Sequence, residues 1–323
     1  MSAVSKWLKR LLLLFLAAVL AAGASFYVLY FRRTALPPAS PHAIVAPSIA
    51  SLPGLAACWM ETGKTFSNFS FGSTAGSILV RHPAGDLLID TGNSSHFNDE
   101  IRGYPFRTWL KLRFLAGQLT PKIPLPELLG RVKEDLQRLR WVILSHAHLD
   151  HAGGLMDLPR VPVLLTQREL EFANDPEVQA KGFAIAAHVL KFPVPGKPTL
   201  RFDPQPYETF DESADLYKDG SVVVVPLGGH TPGSVGIFVN LSPNRRFFYV
   251  GDAVDDERGF QERVGKSLVL RDSDNDEALA NQVVSRLSDL HRKLPGLAIL
   301  PAHGRSAYKK FFPSGPLSCV SGQ

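Results

Sequence analysis

Cysteine is scarce in this sequence. Among 323 residues only Cys58 and Cys319 occur, and they stand near opposite ends of the part that follows the N-terminal apolar run. No Cys-x-x-Cys pair exists, so cysteine-based zinc binding and dithiol redox chemistry have no support. The two thiols would form one disulfide in an exported protein or stay two separate structural cysteines, and the sequence leaves both alternatives open.

An excess of one charge is also lacking in most of the chain. The formal net charge is +5, and five basic residues within positions 1–33 supply all of it. From Thr34 onward, 30 basic residues balance 30 acidic ones. A basic surface for nucleic acid is therefore absent from the folded part, and we expect no nucleic-acid partner.

The N-terminus holds a long stretch without any charge. Residues 11–31 carry none, and a basic flank at 1–10 precedes them. About 20 apolar residues are what a helix needs to cross a bilayer, so this segment predicts a single transmembrane anchor. The alternative is a signal segment cleaved near residues 22–24, which would release a secreted protein. The basic residues lean toward the N-terminal side, which predicts a membrane-anchored domain outside the cytoplasm, periplasmic if the source is bacterial.

Proline marks the next boundary. Residues 32–53 contain five prolines and many small residues, which is typical of an extended linker between membrane and domain. We expect the folded domain at 54–312 and a C-terminal tail at 313–323.

Short apolar runs and longer helical patterns alternate twice through this domain. Runs typical of strands lie at 66–72, 76–82, 85–92, 140–145, 161–166, 221–229, 234–241, 245–252 and 297–304. Helical patterns lie at about 98–140, broken at 120–126, and at 167–190 and 275–293, the last with Leu279, Val283, Leu287 and Leu290 on one face. The repetition predicts an α/β domain built from two similar halves packed face to face.

Metal-ligand side chains follow four of the predicted strands at the point where each strand ends. Imidazole and carboxylate are good ligands for zinc, whereas calcium and magnesium prefer sites made only of oxygen. Seven such ligands suffice for two metals that each keep an open position. The candidate metal ligands are His146, His148, Asp150, His151, His230, Asp252 and His303.

Each of these residues also has an interpretation without function. Asp252 is compatible with a turn, His303 with a structural histidine, and the cluster at 146–151 with a polar surface loop. The combination on four strand ends favours the metal interpretation. Five other histidines lack this context, and we expect them at the surface or in packing: His42, His82, His96, His188 and His291.

Five motifs in order now carry a family resemblance. "HAHLDH", "GGHTPGS", "YVGDA" and "PAHG", preceded by "LLIDTG", resemble the metallo-β-lactamase superfamily over about residues 66–304. The resemblance implies a four-layer αβ/βα sandwich with two zinc ions at one edge between the sheets. It further implies His146, His148 and His230 at one zinc. The second zinc would take Asp150, His151 and His303.

The resemblance also assigns the remaining roles. Asp252 would bridge the two zinc ions, and Asp90 of "LLIDTG" would orient ligands without binding metal. Asp150 would in addition hold or accept a proton. The implied reaction is hydrolysis, in which a hydroxide held by the two metals attacks the carbonyl of a small lactone or ester.

The motifs do not decide to which branch of the superfamily the chain belongs, and so they leave its substrate open. The N-acyl-homoserine lactonases are the branch that the sequence resembles most, although they place a tyrosine where this chain has Asp255. Alternatives are a β-lactamase or other amide hydrolase, a glyoxalase II-like thioesterase, a phosphodiesterase, and a metal-containing binding domain without activity. Tyr104, Phe106 and Trp109, with Asp255, are candidates for the substrate pocket. The stretch around the three aromatic residues would otherwise be an amphipathic helix packed on the sandwich or lying on the membrane.

Overall fold

Two β-sheets organise the chain in the computed structural model, which describes residues 3–40, 42–49, 51–64, 74–119, 123–159, 161–180, 185–186 and 199–322. The first sheet has the strand order β12-β1-β2-β3-β4-β5-β6. Its strands are β1 Ala56–Lys64, β2 Thr74–Arg81, β3 Asp86–Ile89, β4 Leu139–Ile143, β5 Val163–Thr166, β6 Thr199–Leu200 and β12 Cys319–Ser321. The predicted strand at 66–72 and the end of the predicted helix at 167–190 lie outside the described residues.

The second sheet has the order β11-β10-β9-β8-β7. Its strands are β7 Ala214–Asp215, β8 Val222–Pro226, β9 Val235–Ser242, β10 Arg245–Tyr249 and β11 Leu297–Leu300. The helices are α1 Ala3–Tyr30, α2 Phe97–Glu100, α3 Phe106–Leu119, α4 Leu125–Arg131, α5 Leu149–Ala152, α6 Gln167–Asn174, α7 Pro176–Ala180, α8 Arg258–Glu262, α9 Leu268–Arg271, α10 Glu277–Lys293 and α11 Arg305–Phe311. Two 3₁₀ turns lie at Ile101–Gly103 and Gly153–Met156.

Alternation along the strands produces four layers. In β9, Ile237 joins the central core between the two sheets, whereas Phe238 joins a second core that includes Leu287 of α10. A third core packs Leu128 of α4 against Val142 of β4 on the outer face of the first sheet. Because successive strand residues face opposite sides, each sheet contributes to two cores. The order is therefore helices, sheet, sheet, helices, which confirms the predicted αβ/βα sandwich.

Helix α10 follows the sequence pattern with one exception. The side chain of Asp276 accepts a hydrogen bond from the backbone N–H of Leu279, so Asp276 caps the helix. Leu287 and Leu290 are fully buried, but Leu279 is 38% exposed, since it lies in the first turn where the helix leaves the core.

Residues 319–321 pair with the first sheet, beyond the expected domain end at 312. Strand β12 adds an antiparallel edge to β1, with Cys319 in register with Cys58. These two cysteines form a disulfide. A strand of three residues forms few hydrogen bonds, so the disulfide to β1 helps to hold β12 at the edge of the sheet. The open choice between a disulfide and two thiols is thus decided by the register.

The proline-rich linker lies on the domain surface. Leu36 donates its backbone N–H to Arg263 O, and Thr34 O accepts from Gly265 N. Further along, Val45 pairs with Glu208 through two backbone hydrogen bonds. Among the described residues, the linker is hydrogen-bonded to the domain at 34–36 and at 45.

Helix α1 contains a long apolar span. Trp7–Tyr30 comprises 24 residues with a mean hydropathy of 2.4 and is not buried against the domain. At 1.5 Å per residue, this length exceeds the roughly 30 Å of a hydrocarbon core.

We expect removal of the disulfide to destabilise the domain without changing its fold. The Cys58→Ala/Cys319→Ala double variant should lose about 2–5 kcal/mol of unfolding free energy, because the cross-link restricts the unfolded chain. Urea unfolding of oxidised wild type and the variant measures the difference. Equal stability, together with free thiols in the native wild type, would show that the bond does not form.

Candidate metal centre

Four strand ends meet at one edge of the sandwich. β4 leads into the loop and helix that carry residues 146–151, and β8, β10 and β11 lead to His230, Asp252 and His303. Parallel pairing of β10 with β11 places their carboxyl ends side by side. The structure therefore brings together all seven ligand-type side chains that the sequence singled out, in two adjacent groups.

The first group contains three imidazoles. His148 Nδ1 lies 2.9 Å from His146 Nε2 and 3.0 Å from His230 Nε2. Three nitrogen ligands arranged tetrahedrally around zinc stand about 3.3 Å apart, given a Zn–N distance of about 2.0–2.1 Å. The three rings thus converge as ligands of one cation do.

The second group lies beside the first. His303 Nε2 is 3.5 Å from Asp150 Oδ2, and His151 Nε2 is 4.0 Å from Asp150 Oδ1. The Asp150 side chain is 17% exposed, whereas those of His151 and His303 are 2% and 6% exposed. The centre consequently opens to solvent on its carboxylate side.

Asp252 lies between the two groups. Its Oδ2 faces His230 Nε2 at 3.6 Å, and its Oδ1 faces His303 and His151 at 3.1 Å and 3.3 Å. The buried Asp252 Oδ1 and His151 Nε2 make no hydrogen bond of good geometry to any described residue. Such atoms are costly to bury unless another partner satisfies them, and a cation on each side of Asp252 fits that need.

Asp90 forms a hydrogen bond with His151 of the second group. Its Oδ2 accepts from His151 Nδ1 and Ser145 Oγ, both at 2.7 Å, and its Oδ1 accepts from Ser145 N. Tyr249 donates its hydroxyl to the same carboxylate. Asp90 itself has φ of 52°, a conformation that costs energy in a residue other than glycine. Because Nδ1 of His151 points to Asp90, Nε2 is the ring atom that faces Asp252 and that would bind a metal after losing its proton.

The sequence did not reveal the partner of His230. His230 Nδ1 lies 2.8 Å from Asp274 Oδ1, and Lys266 Nζ binds the same oxygen. Asp274 lies two residues before Asp276, the residue that caps α10, and its own carboxylate turns to the centre. The loop of His230 packs closely on α10, since a Cβ on Gly229, whose φ is +83°, would lie 2.6 Å from Ala280.

Glu169 was also missed. Its buried carboxylate accepts hydrogen bonds from Ala147 N, Thr231 Oγ and Gly233 N. It thereby ties the loop of the first histidines to the loop of His230. Glu169 sits in α6 without a motif, so no sequence signal marked it.

Burial decides the charge of the imidazoles in the first group. It lowers the pKa of His148 to about 3 and that of His146 well below its usual range, with neighbouring histidines adding to the effect. These rings are neutral at pH 7, which is the form that binds metal.

Carboxylates decide the charge of the second group. Although burial opposes the shift, Asp252 and Asp150 raise the pKa of His303 to about 9. Asp252 and Asp90 raise the pKa of His151 well above its usual value, again against burial. In the absence of a cation these rings hold protons, and metal binding at this group would release them.

The four candidate pocket residues occupy different environments. Tyr104 is close enough to Asp150 for that carboxylate to raise its pKa, after the larger effect of burial. Trp109 packs on a small core formed by Leu112 and Leu149, but Phe106 is 71% exposed. Helix α3 is therefore packed on the sandwich, as the second interpretation of the aromatic stretch proposed.

Asp255 faces the linker. It is buried, and its Oδ2 lies 3.7 Å from Arg33 Nη2. Burial raises its pKa to about 6, while Lys266 and Arg33 oppose the shift. Asp255, which stands where the lactonases have a tyrosine, thus forms an ion pair with Arg33 just after α1.

A chain with this fold and this set of ligands is a metal-dependent hydrolase. Residues 75–286 match the model of the metallo-beta-lactamase superfamily, and the chain belongs to that superfamily.

Among curated proteins, the chain is similar to two N-acyl homoserine lactonases named AttM. The Azorhizobium caulinodans protein is 30% identical over 51% of this chain and 59% of its own length. The Agrobacterium fabrum protein is 27% identical over 54% and 63%. The matched region is therefore less than two thirds of each lactonase. A probable metallo-hydrolase of Mycobacterium tuberculosis is 27% identical over 76% of this chain and 79% of its own.

Solved structures support the fold. An N-acyl homoserine lactone hydrolase, solved with N-hexanoyl-L-homoserine at its catalytic metal centre, superposes with a TM-score of 0.56 at 20% identity. The superposition covers 79% of this chain and 95% of that one. A quorum-quenching lactonase gives a TM-score of 0.55 at 18% identity, covering 82% and 97%.

Loss of one ligand should remove metal and activity together. We expect His148→Ala and Asp252→Ala to bind fewer metal ions than wild type and to lose more than about 100-fold in turnover, while circular dichroism shows an intact fold. Elemental analysis of the purified protein measures the metal. His96→Ala, at a histidine whose side chain is 61% exposed, is the control and should keep both. Full metal content with activity in both ligand variants would refute the assignment.

A buried carboxyl beside the centre should make stability depend on pH. Burial, Asp150 and Asp157 raise the pKa of Glu100 from its ordinary value of 4.5 to about 8. The folded state disfavours the charged form of Glu100. Below pH 4.5 the group is protonated in both the folded and the unfolded state and does not lower the free energy of unfolding. As the pH rises from 4.5 toward 8, the free energy of unfolding falls. In chelator, Glu100→Gln should therefore gain stability over wild type across this range, on the order of 2–4 kcal/mol.

Urea unfolding at several pH values measures the gain. Glu127→Gln, at an exposed carboxylate, is the matched control. A constant difference between Glu100→Gln and wild type from pH 5 to 9, about the range that the raised pKa spans, would show that Glu100 is charged throughout.

Proposed function

We propose that this protein hydrolyses small lactones, with N-acyl-homoserine lactones as the class to test first. The observation that carries the proposal is Asp252, whose two oxygens face the two ligand groups. Within the superfamily, a bridging aspartate at this position is typical of lactonases, glyoxalase II-type thioesterases and phosphodiesterases, and it is unusual in secreted β-lactamases. The similarity to two AttM lactonases supports the same branch.

The donor set fits two divalent transition metals, and we propose zinc. His146, His148 and His230 would hold one ion, Asp150, His151 and His303 the other, and Asp252 both. When bound, such ions polarise a carbonyl and lower the pKa of water, which is the chemistry that lactone opening requires.

The residues of the chain have distinct parts in this reaction. Although burial opposes the shift, His151 and His303 hold the pKa of Asp150 below its usual value, so this partly exposed carboxylate is charged at pH 7. We assign to this charged form the role of holding a proton during the reaction. Asp90 and Asp274 accept from the Nδ1 atoms of His151 and His230 and so keep both rings oriented. Burial of the imidazoles excludes competing water from the ligand side.

Two observations support a location outside the cytoplasm. The apolar span of α1 is long enough to anchor the chain in a bilayer. The Cys58–Cys319 disulfide is stable in oxidising compartments such as the periplasm. We therefore place the domain on the outer side of a membrane, with cleavage of α1 and secretion as the alternative.

Ring opening by the zinc-loaded full chain tests the activity. N-acyl-homoserine lactones should release acid at rates that His148→Ala lowers by more than about 100-fold. A chromogenic β-lactam serves as the competing substrate, since export and the "GHTPGS" motif also suit a β-lactamase. Turnover of the β-lactam alone would overturn the lactonase proposal and leave the hydrolase class intact.

A further inference from the structure

Helix α9 is apolar and yet belongs to none of the cores that the described residues form. It consists of Leu268, Val269, Leu270 and Arg271, and none of these residues is buried. Val269 is 38% exposed. An apolar turn without a core is unfavourable in water unless another surface covers it. α9 also contacts α1, the apolar helix that is long enough to span a bilayer.

The same region of the domain grips the chain where α1 ends. Arg33, three residues after Tyr30, forms a two-point ion pair with Asp256 at 2.9 Å and 3.2 Å. Its side chain is only 6% exposed. Backbone hydrogen bonds from Leu36 to Arg263 and from Gly265 to Thr34 extend the contact. The exit of α1 is thus attached rigidly to the segment 255–265.

This segment also borders the candidate metal centre. Three extended residues span at most about 10 Å, so Tyr30 lies within that distance of Arg33, and Asp255 lies within it of Asp252. A domain of this size is several times wider than that. The centre is therefore on the side of the domain from which α1 emerges.

We propose that α9 rests in the interface of the lipid bilayer and that the centre accepts substrates with an acyl chain directly from that bilayer. The substrate part of this inference rests on the proposed lactonase function and on α1 as an anchor. The occupant of the apolar α9 surface is lipid, because the surface is continuous with a helix that itself requires lipid. The site then receives the polar head of an amphiphile while its acyl chain stays in the membrane.

A second exposed apolar surface borders the centre on α3. This helix packs through Leu112 on Leu149, the neighbour of Asp150. Its outer residues Phe106 and Leu110 are 71% and 39% exposed. An acyl chain that leaves the centre on this side would meet apolar side chains.

Lipid contact is tested first, without reference to activity. Val269→Trp and Val45→Trp are made in the full chain and placed in phosphatidylcholine vesicles with or without brominated acyl chains, which quench tryptophan. Val45 is a matched control: it is 43% exposed and pairs with Glu208, which binds Arg246 near the start of β10, the end opposite Asp252. We expect quenching beyond the wild-type background at position 269 and none at 45.

A polar substitution tests delivery of the substrate. Val269→Asp should lower kcat/KM for N-dodecanoyl-homoserine lactone in vesicles by about tenfold, because a charge is disfavoured in the lipid interface. N-butanoyl-homoserine lactone, which stays in water, should be opened at a rate within about twofold of wild type, since no bilayer contact is needed. Val45→Asp should change neither rate.

The outcomes separate the proposals. Absence of extra quenching at 269 in a chain that stays with the vesicles overturns the lipid contact, and so does an equal loss of rate with both lactones. A chain that does not stay with vesicles overturns the anchor and this inference together. If wild type opens no lactone, the proposed function fails, while quenching at 269 still supports the bilayer contact.

Discussion

The carboxylate of Asp252 is the point on which the centre depends. It faces His230 on one side and His151 and His303 on the other, in a region where these imidazoles are nearly fully buried. Against the effect of burial, Asp252 makes the largest contribution to the raised pKa values of His151 and His303, with Asp90 and Asp150 adding to it. One group is therefore neutral and the other carries protons that a cation can replace. The meeting of β10 with β4, β8 and β11 at one edge is what places Asp252 there.

Around this point, an outer set of carboxylates fixes the rings. Asp90 orients His151, Asp274 orients His230, and Glu169 joins the two loops that carry the first group. Each is buried or nearly so, and each accepts hydrogen bonds from several donors, so that its oxygens are not left unpaired. Asp90 has a left-handed backbone conformation, which is unfavourable for a residue other than glycine and is stabilised here by these hydrogen bonds. These hydrogen bonds restrict the rings, which would lower the entropic cost of binding a metal.

The segment that follows α1 contacts the domain close to the candidate metal centre. Arg33 reaches the loop that follows Asp252, at the position where N-acyl-homoserine lactonases place a tyrosine, and the linker continues along the domain to Glu208. A free linker would let the domain turn in all directions above a membrane. The linker is instead bound to the domain at 33–36 and at 45. In the proposed membrane-anchored state, these contacts would limit which side of the domain can face the bilayer.

The sequence by itself determined the donor set, the strand-end placement of the seven ligands and the apolar length of α1, because each of these is written in local spacing and residue type. The repeated pattern of strands and helices predicted two similar halves packed face to face, and the family resemblance implied the four-layer sandwich. Only the tertiary structure decided the Cys58–Cys319 bond, the role of β12 and the partners Asp274, Glu169 and Asp256. Those contacts join residues 44, 62 and 223 positions apart, in pairs that no periodicity links. A local pattern states which face of an element is apolar, but which distant carboxylate meets a buried imidazole depends on how the elements pack.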